Sequence, residues 1–468
     1  MKHNLLVLLI TIASFSCKAQ TSVLWGTTAF GGGRNGVIFN YNLSTHIMQT
    51  AYKFIDSTGY RSYTSLIKAS NGLLYGTTPQ SGNYDNGTIF SYNPTNSILK
   101  VLTSFPNGGI AGSSTGRLPQ SALVQVSDSI LLATTAGGGS LSYGTIISCN
   151  LLNDSIEYAY NFNSDVSSPD GSLYLANNGL LYGIASSGNI YSYNFNSHAC
   201  IDVSTFPNFR PEGDLVETSG GTLYGISILG GSSNKGLIFK YDINGHTVAN
   251  IHSFDTTSGC YGVYGWLSPG LLLLGDTIIY GVTPLGGLNH SGVLFSYSIP
   301  TDQYKVLHDF GFGSDGSFPV APPTKASDGL LYGTTQTGGA NGFGTLYSFA
   351  PITFTETVLH HFDSIDGLGP ESKLLEIIDT ATSIPAILPA PKLQISPNPS
   401  TGEFIIQLPG TQGDYPVEVY NTLGQKVEQL TLTKTQNTLN LTGQSAGIYF
   451  VEVQTETGKA TGKIMVVK

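Results

Sequence analysis

The sequence predicts an all-β protein in two parts, a seven-bladed β-propeller followed by a small Ig-like β-sandwich. Three observations point to it. A short apolar strand closing on Tyr-Gly or a near variant occurs seven times, at Leu24-Trp25-Gly26, Leu74-Tyr75-Gly76, Leu131-Leu132-Ala133, Leu181-Tyr182-Gly183, Leu223-Tyr224-Gly225, Ile279-Tyr280-Gly281 and Leu331-Tyr332-Gly333. Successive copies lie 50, 57, 50, 42, 56 and 52 residues apart, a period that belongs to propeller blades or solenoid repeats. Glycine supplies 58 of 468 residues, close to twice the usual share of about 7%. Charged residues supply 11%, against roughly 25% in an average soluble protein. No segment after residue 20 carries a helical period, because Gly or Pro interrupts nearly every candidate.

The chain opens with Lys2 and His3, an apolar run from Leu5 to Ala13, and small or polar residues to Lys18-Ala19-Gln20. This reads as a secretory signal peptide over residues 1–19, too short to span a bilayer stably, with cleavage after Ala19. Cys17 offers a lipidated alternative, although no Leu stands three residues before it. No later run reaches the ~18 apolar residues of a membrane helix.

The propeller is expected over residues 20–380. In the second copy the strands read Leu73–Thr78, Gly87–Tyr92, Ile98–Phe105 and Ser121–Val126. The third strand ends in a Phe at positions 54, 105, 162, 206, 254, 310 and 362. The fourth turns into the next Leu-Tyr-Gly through Asn71-Gly72, Asn178-Gly179 or Asp328-Gly329. Such pairs favour tight hairpins because both central positions take positive φ. The chain enters on Leu24-Trp25-Gly26 and leaves on Lys373–Ile378, which aligns with the strand before each Leu-Tyr-Gly. One blade is therefore expected to join Leu374–Ile378 to three strands from residues 23–54, a closure that hides exposed edges.

The repeat resembles the GloVer-type tandem-repeat family. Residues 331–374 carry its pattern nearly whole, in Leu331-Tyr332-Gly333-Thr334-Thr335, Gly338-Gly339, Gly344-Thr345-Leu346-Tyr347, Phe362, Asp366-Gly367, Pro370 and Leu374. The third and fourth copies depart from it, at Leu131-Leu132-Ala133 and in the short loop Ser186-Ser187-Gly188. The resemblance implies a fold and brings no catalytic residues.

Composition changes at the Pro/Ala linker, residues 381–391, which should be semi-extended. Beyond it, residues 392–468 alternate as short strands near Glu403–Leu408, Pro416–Tyr420, Lys426–Leu432, Thr438–Leu441, Gly447–Val453 and Lys459–Val467, as in a small β-sandwich. Pro397-Asn398-Pro399, Leu423-Gly424, Ala446-Gly447-Ile448-Tyr449-Phe450-Val451 and the closing Lys463-Ile464-Met465-Val466-Val467-Lys468 resemble the type A sorting domain of the type IX secretion system. That resemblance implies the type IX machinery as a partner, passage through the periplasm, and a secreted or surface location.

The tail from Lys392 has 6 acidic and 6 basic residues, which leaves the propeller 24 acidic against 12 basic. So acidic a surface argues against nucleic acid or anionic membrane as partner. Cys149, Cys200 and Cys260 remain after signal cleavage, an odd count that makes a poor disulfide framework and suits small core residues. His252, His308 and His360 share one repeat position on the outermost strands, where neighbouring blades diverge, so packing explains them better than a metal site. Asp170-Gly171, Asp315-Gly316 and Asp366-Gly367 read as turns. No nucleophile elbow, phosphate loop or zinc-spaced set occurs, and no cofactor or metal is expected.

One loop is irregular. Asp255–Leu267 replaces the Asp-Gly…Pro pattern with Tyr261, Tyr264 and Trp266. These rings are the candidate ligand-binding residues, since exposed aromatics stack on sugars and partner proteins; packing beneath a long loop is the plainer alternative. The expected function is a non-catalytic, exported propeller that binds glycan or protein at the cell surface. The alternatives are a secreted carbohydrate-active enzyme with an unidentified acid pair, and a structural surface component.

Overall fold

A computed structural model describes residues 21–106, 116–169, 171–205, 210–261, 269–311, 313–379, 393–407, 415–432, 437–455 and 458–468. The chain divides into two compact units, Gln20–Asp379 and a C-terminal unit that begins at Thr380. Every regular element among the described residues is a β-strand.

In the first unit, the described strands form one five-stranded and six four-stranded antiparallel sheets, with a two-stranded ribbon of Gly116–Arg117 and Gly137–Gly138; in the five-stranded sheet Leu368–Pro370 also pairs with Thr21–Phe30. Six are simple meanders, as in the fourth, where Tyr174–Leu175, Leu181–Ala185, Asn189–Asn194 and Ala199–Thr205 lie side by side in chain order. The first sheet is different. Its order is Leu375–Asp379, Thr21–Phe30, Val37–Asn42, Ile47–Lys53, with Trp25 opposite Leu375 and Thr21 opposite Asp379. The expected pairing of the two ends of the repeat region is therefore present. The strand that closes each sequence repeat is the first strand of the next sheet, so repeat and sheet are offset by one strand.

The Leu-Tyr-Gly triplet has a packing reason at each position. Leu24, Leu74, Leu131, Leu181, Leu223, Ile279 and Leu331 are fully buried. Tyrosine binds its own hairpin: Asn71 Nδ2 donates to Tyr75 OH at 2.8 Å, Asn178 Nδ2 to Tyr182 OH at 3.0 Å, and Tyr332 OH to Asp328 Oδ2 at 2.6 Å. Trp25 stands where the neighbouring strand arrives from Leu375–Asp379 and no hairpin exists to bond a hydroxyl. Glycine leaves room for a ring of the next strand. A Cβ on Gly26, Gly76, Gly225 or Gly281 would lie 2.4–2.6 Å from the Cζ of Phe39, Phe90, Phe239 or Phe295. In the third sheet Ala133 pairs with Ile147, and the smaller aliphatic side chain there makes the larger Ala admissible.

Consecutive sheets share cores, and the chain of cores closes. Phe54 packs on Phe90 (centroids 5.3 Å), Phe162 on Tyr191 (5.0 Å), Phe254 on Phe295 (5.5 Å), Phe310 on Tyr347 (5.2 Å), and finally Phe362 on Phe39 (5.2 Å). Leu24, Phe39 and Leu374 of the first sheet lie in one core with Tyr332 and Leu346 of the seventh. Buried threonines tie strands at the Gly-loop end, with Thr78–Thr88, Thr135–Thr145 and Thr335–Thr345 hydroxyls 2.8–2.9 Å apart. Cys149 and Cys260 are buried and Cys200 half-buried, all as free thiols. Burial pushes the Cys149 thiol up to about 11 and that of Cys200 to about 12.

The C-terminal unit has two antiparallel sheets, Gln394–Ser396, Glu403–Gln407, Asn437–Asn440 and Lys426–Leu432, Tyr415–Asn421, Gly447–Thr455, Gly458–Val466. Their inner faces meet in one core of Phe404, Ile406, Val417, Val419, Val451 and Ile464. The strand Gln394–Ser396 was not expected, because the Pro397/Pro399 cluster beside it reads as a turn.

Candidate functional site

The aromatic loop is corrected first. Tyr261 is 3% exposed, its ring meets Phe254 at 5.6 Å, and its hydroxyl donates to the Val282 carbonyl. It belongs to the core between the fifth and sixth sheets and offers no stacking surface. Residues 255–261 are also more regular than their sequence suggests. Asp255 Oδ1 accepts the N–H groups of Thr257 and Ser258, and these bonds hold its carboxyl down at about 2. A Cβ on Gly259 (φ +104°) would collide with Thr283, as one on Gly316 would with Thr335 and one on Gly367 with Thr28, so Ser258-Gly259 takes the place of Asp-Gly. Tyr264 and Trp266 lie outside the described residues, as does Asp170.

The histidines lie on outermost strands of separate sheets. His252 stacks on Tyr304 (3.8 Å, 4°), His308 Nε2 faces Asp315 at 3.3 Å, and His360 Nε2 faces Asp366 at 2.6 Å. Among the described residues, no three His, Cys, Asp or Glu side chains are grouped to hold a metal ion. Besides Asp255, the acids Asp363, Glu371 and Glu356 are perturbed, and Glu356 bears on stability. Burial, reinforced by the negative charge of Asp315, pushes the Glu356 carboxyl up to about 7, and its Oε1 is buried without a partner.

This acid makes stability depend on pH. Between its unfolded value near 4.5 and its folded value near 7, the folded state holds a proton that the unfolded state has lost, so stability falls as pH rises through that window. Glu356→Gln is expected to add about 1–2 kcal/mol at pH 8, after allowance for screening of a partly solvated side chain, and almost nothing at pH 4.5. Denaturant melts at the two pH values check this; equal effects at both would refute it.

An open polar site lies where the Gly-rich loops of the first two sheets meet. A cleft of about 610 Å³ is lined by Arg34, Asn35, Asp56, Tyr60, Gln80 and Asp85, among others. Backbone geometry sets it. Arg34 and Gly36 N–H groups both donate to the Gly31 carbonyl at 3.1 Å, in a turn whose positive φ values (Gly31 +90°, Gly32 +66°, Gly36 +94°) favour glycine. Asn35 Nδ2 holds Asp56 Oδ1 at 2.8 Å, the Gly82 N–H donates to the Asp56 carbonyl at 2.8 Å, and the Tyr60 N–H to the Gln80 carbonyl at 3.0 Å. Behind Tyr60, Phe30 packs edge-on at 5.8 Å and receives the Arg61 guanidinium at 5.1 Å. Among the described residues, Arg34 forms no ion pair.

A guanidinium, two carboxylates, two amides and a phenol on fixed loops can recognise a polar ligand by directional hydrogen bonds. Ser81, whose N–H donates to Asp85 Oδ1 at 3.2 Å, also lines the cleft. Sequence reasoning passed over it because Arg34 and Asp85 sit in loops of different repeats. The available signal was an arginine in a loop that is otherwise nearly all glycine.

Comparison with known proteins gives two family matches. The Gloeobacter/Verrucomicrobia repeat matches residues 11–197 and 198–382, and the secretion system C-terminal sorting domain matches residues 394–467. No curated protein matches the chain. Among solved structures, a putative 6-phosphogluconolactonase from Bacteroides fragilis is similar at TM-score 0.52 and 14% identity, covering 77% of this chain and 99% of that one. A hypothetical selenium-binding protein from Sulfolobus tokodaii is similar at TM-score 0.50 and 9% identity, covering 76% and 93%. At such identities the likeness is one of fold.

Proposed function

Because the chain belongs to the Gloeobacter/Verrucomicrobia repeat family and ends in a type IX sorting domain, we propose that it is an exported, closed seven-bladed β-propeller that binds a glycan or protein ligand without transforming it. Export is carried by the sorting domain, which marks a secreted or cell-surface protein. In this reading residues 1–19 take the chain to the periplasm and the Ig-like tail hands it to the type IX machinery. The six four-stranded sheets and the five-stranded first sheet, with Phe362 packed against Phe39, support ring closure. Binding rests on the polar cleft at Arg34, Tyr60 and Asp85. Tyr264 and Trp266, outside the described residues, are proposed as further stacking surface.

A glycan array probed with the secreted protein, with products followed by mass spectrometry, tests the reading. Arg34→Ala and Tyr60→Ala should each weaken capture about tenfold, equivalent to loss of one good contact of about 1.4 kcal/mol. Unchanged capture would remove the cleft from consideration, and released products would replace binding by catalysis. Truncation after Ala390 should leave the melt of the first unit within about 1–2 °C, since domains joined by Pro-rich linkers share few contacts. The truncated protein should accumulate in the periplasm; normal secretion would refute the role given to the tail.

A further inference from the structure

The first strands of the sheets surround a second cavity, of about 340 Å³, which is mostly aliphatic. Ile67, Val124, Val216 and Leu375 line it, and Lys373 and Asp214 are the only charged groups among its lining residues. Leu375 pairs with Trp25 and Val216 with Tyr224, equivalent positions of the repeat, and Lys373 and Asp214 each stand two residues earlier, Asp214 within a β-bulge. Ser65 and Ser172 likewise precede Ile67, paired with Tyr75, and Tyr174, paired with Tyr182. All four residues line the same cavity.

The two charges do not neutralise each other in contact. No carboxylate of the described residues lies within 4.0 Å of the Lys373 ammonium, which also makes no hydrogen bond to them. Burial lowers the Lys373 pKa, and the attraction of Asp214 opposes this only in part. Asp214 Oδ1 receives just the Ser172 N–H, at 3.3 Å. Separated, under-bonded charges on the wall of a mostly aliphatic cavity are costly, and that cost is relieved by a partner that bonds both.

The surroundings choose the partner. One residue pair further towards the Gly-loop end stand Glu371, buried and bonded to Gln336, and Glu212, buried and paired with Arg210 at 2.8 Å. With 24 acidic against 12 basic residues in the repeat region, a free anion would be repelled from this entrance. A zwitterion enters without net charge. We propose that the axial channel binds a free α-amino acid with an aliphatic side chain, its carboxylate on Lys373, its ammonium on Asp214, and its side chain along Ile67, Val124 and Val216. The volume lies within the range of small-ligand sites, about 300–1,000 Å³.

Calorimetric titration of the full secreted chain with L-leucine, 4-methylpentanoate and 3-methylbutylamine tests this. Leucine should bind one-to-one with Kd at or below about 1 mM, and each singly charged analogue should bind at least about tenfold more weakly. Lys373→Met and Asp214→Asn should each weaken leucine binding by a similar factor. Should either charge variant fail to fold, Ser65→Leu narrows the cavity with both charges kept and should abolish the signal. Absence of leucine binding up to about 10 mM, analogues as tight as leucine, or unaltered binding to Ser65→Leu would overturn the proposal.

Discussion

Deletion of residues 370–379 is expected to abolish the cooperative thermal transition of the repeat unit near physiological temperature. Those residues supply the strand opposite Thr21–Trp25. They bring Leu374 into the core between the seventh and first sheets, and Ile377 into the core between the first and second. Their polar groups also bond the neighbouring strand and the seventh sheet. Ser372 Oγ accepts the Thr27 N–H at 2.8 Å, Thr324 Oγ1 donates to the Leu374 carbonyl at 2.6 Å, and Glu376 accepts the Ser327 N–H at 2.9 Å. Each buried aliphatic side chain contributes about 1.5–3 kcal/mol and each hydrogen bond about 0.5–1.5 kcal/mol. The loss is therefore on the order of 10 kcal/mol, as large as the whole stability of a typical fold at about 5–15 kcal/mol. The deletion also bares the edge of Thr21–Phe30, which should promote association. Circular-dichroism melts with size-exclusion chromatography check both effects; a monomer melting within about 2 °C of the intact protein would show the strand to be dispensable.

Gly225→Ala should destabilise by about 1–3 kcal/mol or more, the usual range for overpacking a filled core. The added Cβ would stand 2.5 Å from Phe239 Cζ and 2.9 Å from Leu215 Cδ2, and both neighbours are held in a closed core. Overpacking predicts a specific rescue. In the third sheet Ala133 already opposes Ile147, so Gly225→Ala should cost little in a Phe239→Ile background. A double-mutant cycle by denaturant melts should therefore show strong coupling between the two sites. Additive effects, or a neutral single variant, would mean that the glycine serves some other need.

The contrast between these two sites shows how far local pattern reaches. Strand identity, the hairpins at Asn71-Gly72 and Asn178-Gly179, the Phe that ends each third strand and the pairing of Leu374–Ile378 with the first strands are legible because each depends on residues near in sequence or on the count of a repeat. The sorting domain is legible for the same reason, as its motifs are contiguous. Why the triplet ends in glycine is not, because Phe39, Phe239 and Phe295 arrive over that position only when strands pair. Tyr261 read as a candidate binding ring and is a core residue, since aromatic character alone does not say which side of a loop faces a neighbouring sheet. The cleft joins loops of different repeats, and the channel joins Lys373 to Asp214 from the first and fifth sheets. Repetition of short-range strand and turn preferences determines that sheets form. Which of their side chains converge is decided by tertiary packing, because residues on different sheets meet only through cores shared across the whole unit.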